Sequence, residues 1–137
     1  MKYYLSNYLG TKEEKLNVED LKQMIMHTPF TEWKKGSGDC SIHFADTNEQ
    51  LVFFKLEKGV FIMQHPDYLI PITEDSMKQE PKTLVHYVGG NEMSIPDNSL
   101  FNENDAFEIL STFAEKKELL GKYKWIDLYE IEFDHGF

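Results

Sequence analysis

With 137 residues the chain has the length of one domain, since single domains cluster near about 100–150 residues, and its 41% hydrophobic content supplies a core without a covalent staple. It carries 24 acidic residues against 14 basic ones, a net charge of -10, and every basic residue is lysine. The absence of arginine and the negative field argue against nucleic acid as a ligand and favour a basic partner.

Residues 16 to 26 predict a first helix. Asn17 is placed to cap it, Asp20 follows three positions later as in a capping box, and Leu16 and Leu21 are spaced as a hydrophobic staple. Val18, Leu21, Met24 and Ile25 share one face, and Pro29 disfavours helical backbone at Thr28, which sets the end near His27. Gly36 and Gly38 mark a turn.

A run of strands follows. Cys40, Ile42 and Phe44 alternate with polar residues, and Leu51–Leu56 is apolar on both faces, as in a central strand. Glu57-Lys58-Gly59 turns into Val60–Gln64, a link short enough to make the neighbours antiparallel. Tyr68–Ile72 reads as an edge strand, because Pro66 and Pro71 cannot donate to a ladder. Thr83–Val88 is a further strand ending at Gly89-Gly90, and residues 91 to 101 read as a long polar loop. A second helix starts near Asn102, buries Ala106, Phe107, Leu110, Phe113 and Ala114, and stops at Gly121. Trp125–Phe133 predicts a last strand with Tyr129, Ile131 and Phe133 turned inward. The order predicts an α+β fold over residues 1–137 as a single domain: one mainly antiparallel sheet, a meander, packed with two α-helices.

Catalytic groupings are sparse. The histidines His27, His43, His65, His86 and His135 lack the spacing of a metal site, and Cys40 and His43 point to opposite faces of their strand. No catalytic residue, metal ligand or cofactor is expected, and the chain reads as a non-enzyme. The lone cysteine excludes an intrachain disulfide and fits a reducing compartment, and the first residues lack the apolar run of a secretory signal. No stretch approaches the roughly 18 apolar residues of a membrane span, so a cytoplasmic protein with no membrane partner is expected. A monomer or weak dimer is the expected state.

The charge is unevenly distributed. Up to Gly59 there are 9 acids and 8 lysines; after it there are 15 acids and 6 lysines. Glu92, Asp97, Glu103, Asp105 and Glu108 lie around the polar loop and second helix, and Tyr129 and Glu130 belong to an aromatic and acidic carboxyl-terminal stretch. These seven are the candidate partner-binding residues, because aromatic anchors ringed by acids select a basic protein. The alternative for the acids is a solvated face that maintains solubility.

The run Val85-His86-Tyr87-Val88-Gly89-Gly90-Asn91, followed by Ile95-Pro96, Ala106, Phe113, Gly121 and Trp125, resembles immunity protein family one of bacterial polymorphic toxin systems, the deaminase-inhibitor-like immunity proteins. The resemblance spans roughly residues 38 to 130. It implies a small cytoplasmic α+β protein that binds and neutralises a cognate basic toxin domain, commonly a nuclease or nucleic-acid deaminase. Gly89, Gly90 and Trp125 carry over as family-pattern positions with structural roles. Two other readings stay open: a small-molecule-binding or enzymatic domain using His43, His65 or His86 on a sheet face, and a general protein-interaction module.

Overall fold

The centre of the fold is the run Leu51–Leu56, whose apolar residues on both faces require cover on both sides. The computed structural model of the chain describes residues 4–6, 12–14, 18–29, 31, 33, 39–44, 48–73, 75, 82–88 and 91–130. In chain order the elements are β1 (Tyr4–Ser6), β2 (Lys12–Glu14), α1 (Val18–His27), β3 (Cys40–His43), β4 (Gln50–Leu56), β5 (Gly59–His65), β6 (Leu69–Ile72), β7 (Thr83–Val88), β8 (Asn91–Pro96), α2 (Glu103–Lys116) and β9 (Lys124–Asp127). Short 3₁₀ turns at Asp97–Ser99 and Leu128–Glu130 follow β8 and β9.

Seven strands form one antiparallel sheet in the order β2-β1-β3-β4-β5-β6-β9, which puts β4 in the middle as its composition requires. The register sorts the side chains. Cys40 faces Phe53 and Phe53 faces Ile62, while Ile42 faces Leu51, so these residues share one side of the sheet. On that side lie the helices: Met24 of α1 meets the Cys40 thiol, and Phe113 of α2 packs its ring 5.5 Å from Phe44. The buried stripe of α2 is Ala106, Ile109, Leu110, Phe113 and Ala114, and α1 contributes Leu21 and Ile25. Trp33 completes this layer against Phe53, with ring centroids 5.8 Å apart.

The opposite side carries Phe54 and Phe61, stacked at 5.0 Å. It is covered by a separate two-stranded sheet made of β7 and β8. Among the described residues the fold is therefore α+β in three layers: helices α1 and α2, a mainly antiparallel sheet and a hairpin. No helix among the described residues is long and apolar enough to cross a membrane.

Several expectations change. Residues 91–96 are a strand and not a loop, because Met93 and Ile95 alternate with Glu92 and Ser94 and are buried toward the main sheet. With that partner, Thr83–Val88 leaves the meander and pairs outside the main sheet. The strand at Tyr68–Ile72 is not an edge strand: β9 adds along β6 from Leu69↔Asp127 to Ile72↔Lys124, while β5 meets β6 only at Gln64↔Leu69. Pro71 lies outside that short β5 ladder, so its missing N–H costs nothing there. The second helix ends at Lys116, since Lys117 adopts φ 55° and its N–H bonds the Phe113 carbonyl. The Lys117 ammonium lies 4.8 Å over the Phe44 ring.

Finally, the last strand stops at Asp127 instead of reaching Phe133. The Asp127 carboxylate accepts the Tyr129 N–H at 2.9 Å, the local alternative that acidic side chains offer to a ladder, and the backbone turns. Tyr129, expected inward, is instead 45% exposed. Leu16, Asn17, Gly36, Gly38, Gly89, Gly90, Ile131, Phe133 and His135 lie outside the described residues.

Gly59 is required by its surroundings. Its φ is +155°, and an added Cβ would sit 2.8 Å from the Phe101 carbonyl oxygen. That carbonyl accepts the Val60 N–H at 2.8 Å, and Phe101 N–H returns a bond to Val60 at 3.0 Å, tying β5 to the segment entering α2. Gly59→Ala is expected to cost about 2 kcal/mol of unfolding free energy, from backbone strain and the broken bridge. A urea midpoint equal to that of the parent would refute it.

Candidate functional site

The acidic candidates are positioned first by α2. Asn102 caps this helix: its side-chain oxygen accepts the Asp105 N–H at 2.8 Å, and its amide donates to the Asp105 carboxylate at 3.1 Å. Residues 105, 108 and 115 fall on one side of a 3.6-residue helix, away from the Ala106–Leu110–Phe113 stripe. Asp105, Glu108 and Glu115 therefore line an outward acidic face. Lys122 reaches this face from the following loop, 3.3 Å from the Glu108 carboxylate. That bond is the main cause of the raised Lys122 pKa. The Tyr123 hydroxyl is also raised, first by burial and then by the Asp105 charge.

The other candidates separate from this face. Glu103 turns to Lys55 of β4, at 3.3 Å. The Lys55 ammonium also donates to the carbonyls of Ile25 and Thr28 at 3.0 and 3.1 Å, so it joins the carboxyl end of α1 to the first turn of α2. Asp97 accepts the Lys82 N–H at 2.9 Å and donates its own N–H to the Lys82 carbonyl, which fixes the open end of the β7–β8 hairpin. Glu92 is exposed on β8. Trp125 is half-buried and its indole N–H donates to the Leu120 carbonyl at 3.0 Å, bracing the loop between α2 and β9.

Tyr129 and Glu130 lie at the far end of β9, where sequence reasoning missed their neighbour. Tyr68, on the turn between β5 and β6, meets Tyr129 edge to face at 5.2 Å and 87°. Its carbonyl accepts the Leu128 N–H at 2.9 Å, and its φ of 59° is unusual for a side chain of this size. His65 makes a second edge contact with Tyr68 at 5.8 Å. The sequence signal is the local run Pro66-Asp67-Tyr68, a turn-forming stretch ahead of β6. Burial, followed by the Tyr68 and Asp127 neighbours, raises the Tyr129 hydroxyl above its usual range.

A cleft of about 200 Å³ opens at the opposite end of β4, lined by Lys55–Lys58 of the β4–β5 turn and by Leu84, Val85 and His86 of β7. His86 is buried flat against Phe54, with ring centroids 4.1 Å apart and planes 10° from parallel. His43 and His65 do not line this cleft. The register places them on either side of Gln50, four residues along β4 from the Phe54 ring on which His86 stacks, or roughly 13 Å at about 3.3 Å per residue. Among the described residues no group of three His, Cys, Asp or Glu side chains converges as metal ligands do.

No protein-family model matches the chain, and no curated protein matches it. The resemblance is thus carried by the motif residues between Val85 and Trp125 alone.

Proposed function

We propose that this chain is an immunity protein that binds and neutralises a basic toxin domain, a nuclease or nucleic-acid deaminase, rather than an enzyme. The observation that carries the reading is the concentration of acid after Gly59, 15 acids against 6 lysines, with Asp105, Glu108 and Glu115 on one outward face of α2. Such a face presents carboxylates where a nucleic-acid-cleaving enzyme expects phosphates, and it speeds encounter with a cationic partner. The family-like run from Val85 to Trp125 supports the same reading. The histidine-based alternative is weakened by the separation of His86 from His43 and His65.

The test identifies the gene immediately upstream and co-expresses the carboxyl-terminal domain of its product with this chain: the reading requires that this domain be toxic alone, that cells be rescued and that the two proteins co-purify. Charge reversal must avoid Glu103 and Asp105, whose contacts with Lys55 and Asn102 belong to the fold. The double variant Glu108→Lys, Glu115→Lys touches only exposed groups. It is expected to slow association about tenfold at low salt and much less at 0.5 M salt, where screening is short-ranged. Equal association rates for parent and variant at low salt would remove α2 from the interface.

A further inference from the structure

With a net charge of -10, two copies of this chain repel each other wherever their charged surfaces face. The strand β7 is an exception. Thr83–Val88 contains no acid, lysine, proline or glycine, in a chain of which 28% of the residues are charged. Among the described residues it pairs with β8 and with no other strand, so its second edge lies along the border of the hairpin. Strand edges are commonly blunted by lysine, proline or a bulge, because they template pairing with another chain. Here the middle of the edge is Val85, 46% exposed and one of two large apolar side chains so exposed among the described residues.

The register fixes which backbone groups this edge offers. Pro96, opposite Thr83, has no N–H, and the Asp97 N–H bonds the Lys82 carbonyl at 2.8 Å, the bond that brackets a non-hydrogen-bonded pair. Alternation puts Val85↔Ser94 and Tyr87↔Glu92 in the same class, so the N–H and C=O groups of Thr83, Val85 and Tyr87 point away from β8. Leu84 and His86 face the main sheet, Leu84 on the core and His86 on Phe54. The cleft of about 200 Å³ between Leu84–His86 and the β4–β5 turn leaves room beside the strand.

We propose that the β7 edge is the two-fold contact of a weak homodimer, in which β7 pairs antiparallel with β7 of a second copy about Val85 and the two hairpins form one four-stranded sheet. Centred there, the pairing sets Val85 opposite Val85 and Thr83 opposite Tyr87, so the outward backbone groups of all three residues meet partners. On the outer face the two exposed Val85 side chains cover each other. On the inner face Leu84 stands opposite His86 of the second copy, above the cleft. No like charges oppose each other along the junction, which is what an acidic chain requires of a contact with itself. One strand pair is a small interface, below roughly 1,200 Å², and fits a dissociation constant on the order of 100 µM. The helices pack on the other side of the main sheet, so the acidic face of α2 stays open in the dimer and the inference is independent of the immunity reading.

Sedimentation velocity of the full chain between about 5 µM and about 500 µM is expected to show a monomer that becomes a dimer as concentration rises. Val85→Lys sets two ammonium groups opposite each other and is expected to weaken dimerisation at least tenfold, with the thermal midpoint of the dilute protein unchanged because the side chain is exposed. Oxidation of Val85→Cys is expected to give a disulfide-linked dimer, since a hydrogen-bonded antiparallel pair holds its Cα atoms about 5.5 Å apart, within disulfide reach. Thr83→Cys, opposite Tyr87 in this register, is expected to stay unlinked, and the native Cys40 is buried. A parent that is monomeric throughout, a dimer unmoved by Val85→Lys, or cross-linking of Thr83→Cys as fast as that of Val85→Cys overturns the proposal. A monomeric parent whose Val85 amide resonance shifts when the upstream product's carboxyl-terminal domain is added gives this edge to a strand of that domain, and overturns it as well.

Discussion

Phe54→Ala is expected to lower the unfolding free energy by about 4 kcal/mol, near the upper range for truncating a buried aromatic residue. Phe54 is fully buried on the central strand and stacks on two sides, against Phe61 at 5.0 Å and against His86 at 4.1 Å. It is the joint between the main sheet and the β7–β8 hairpin. The cavity left by alanine would border both layers and loosen the hairpin, which otherwise rests on its own ladder and on Met93 and Ile95, buried in the same core. Denaturant unfolding measures the loss. Amide exchange locates it: protection in β7 and β8 should fall more than protection in β3 and β4. A loss below 1 kcal/mol would show that the hairpin is held by other contacts.

Lys55→Met is expected to cost about 3 kcal/mol, because a charged donor serving two backbone carbonyls contributes roughly 1.5 kcal/mol for each bond and leaves both acceptors without it when removed. The side chain is only 12% exposed, so methionine keeps most of its packing, and the lost bonds dominate. The Glu103 partner is 41% exposed and solvent screens it, so that pair contributes under about 1 kcal/mol. Glu103→Gln therefore serves as the control and should cost much less. Equal costs for Lys55→Met and Glu103→Gln would mean that the Ile25 and Thr28 carbonyls find water when the ammonium is gone.

These two residues mark the limit of what sequence patterns convey. Lys55 sits between Phe54 and Leu56 in a strand legible as central from its two apolar faces, and a lone lysine there looks like a surface residue. Its role became visible only when the ends of α1 and α2 were brought over the same strand. His86 was legible as part of a strand face and not as a ring stacked on Phe54, since that contact joins residues 32 positions apart. Of the candidate acids, Asp105 and Glu108 share an outward face, while Asp97 and Glu103 are drawn into the fold by Lys82 and Lys55. All four look alike in sequence, because charge is a local property and the partner that claims it is not.

The sequence by itself determined the α+β class, the antiparallel pairing of β3, β4 and β5, the central place of β4, the Asn102 cap and the acidic excess after Gly59. Each of these rests on side-chain period, turn length or capping chemistry within a few residues. The tertiary structure alone decided that β7 and β8 form a separate layer and that β9 closes over β6. It also decided that the chain turns at Asp127, which exposes Tyr129 beside Tyr68. Those outcomes depend on which distant surface is available to cover an apolar face, and on whether a carboxylate or a neighbouring strand reaches a backbone N–H first. The acidity with which the chain began is thus divided by the fold into carboxylates that hold helices and hairpins together and carboxylates that face outward on α2.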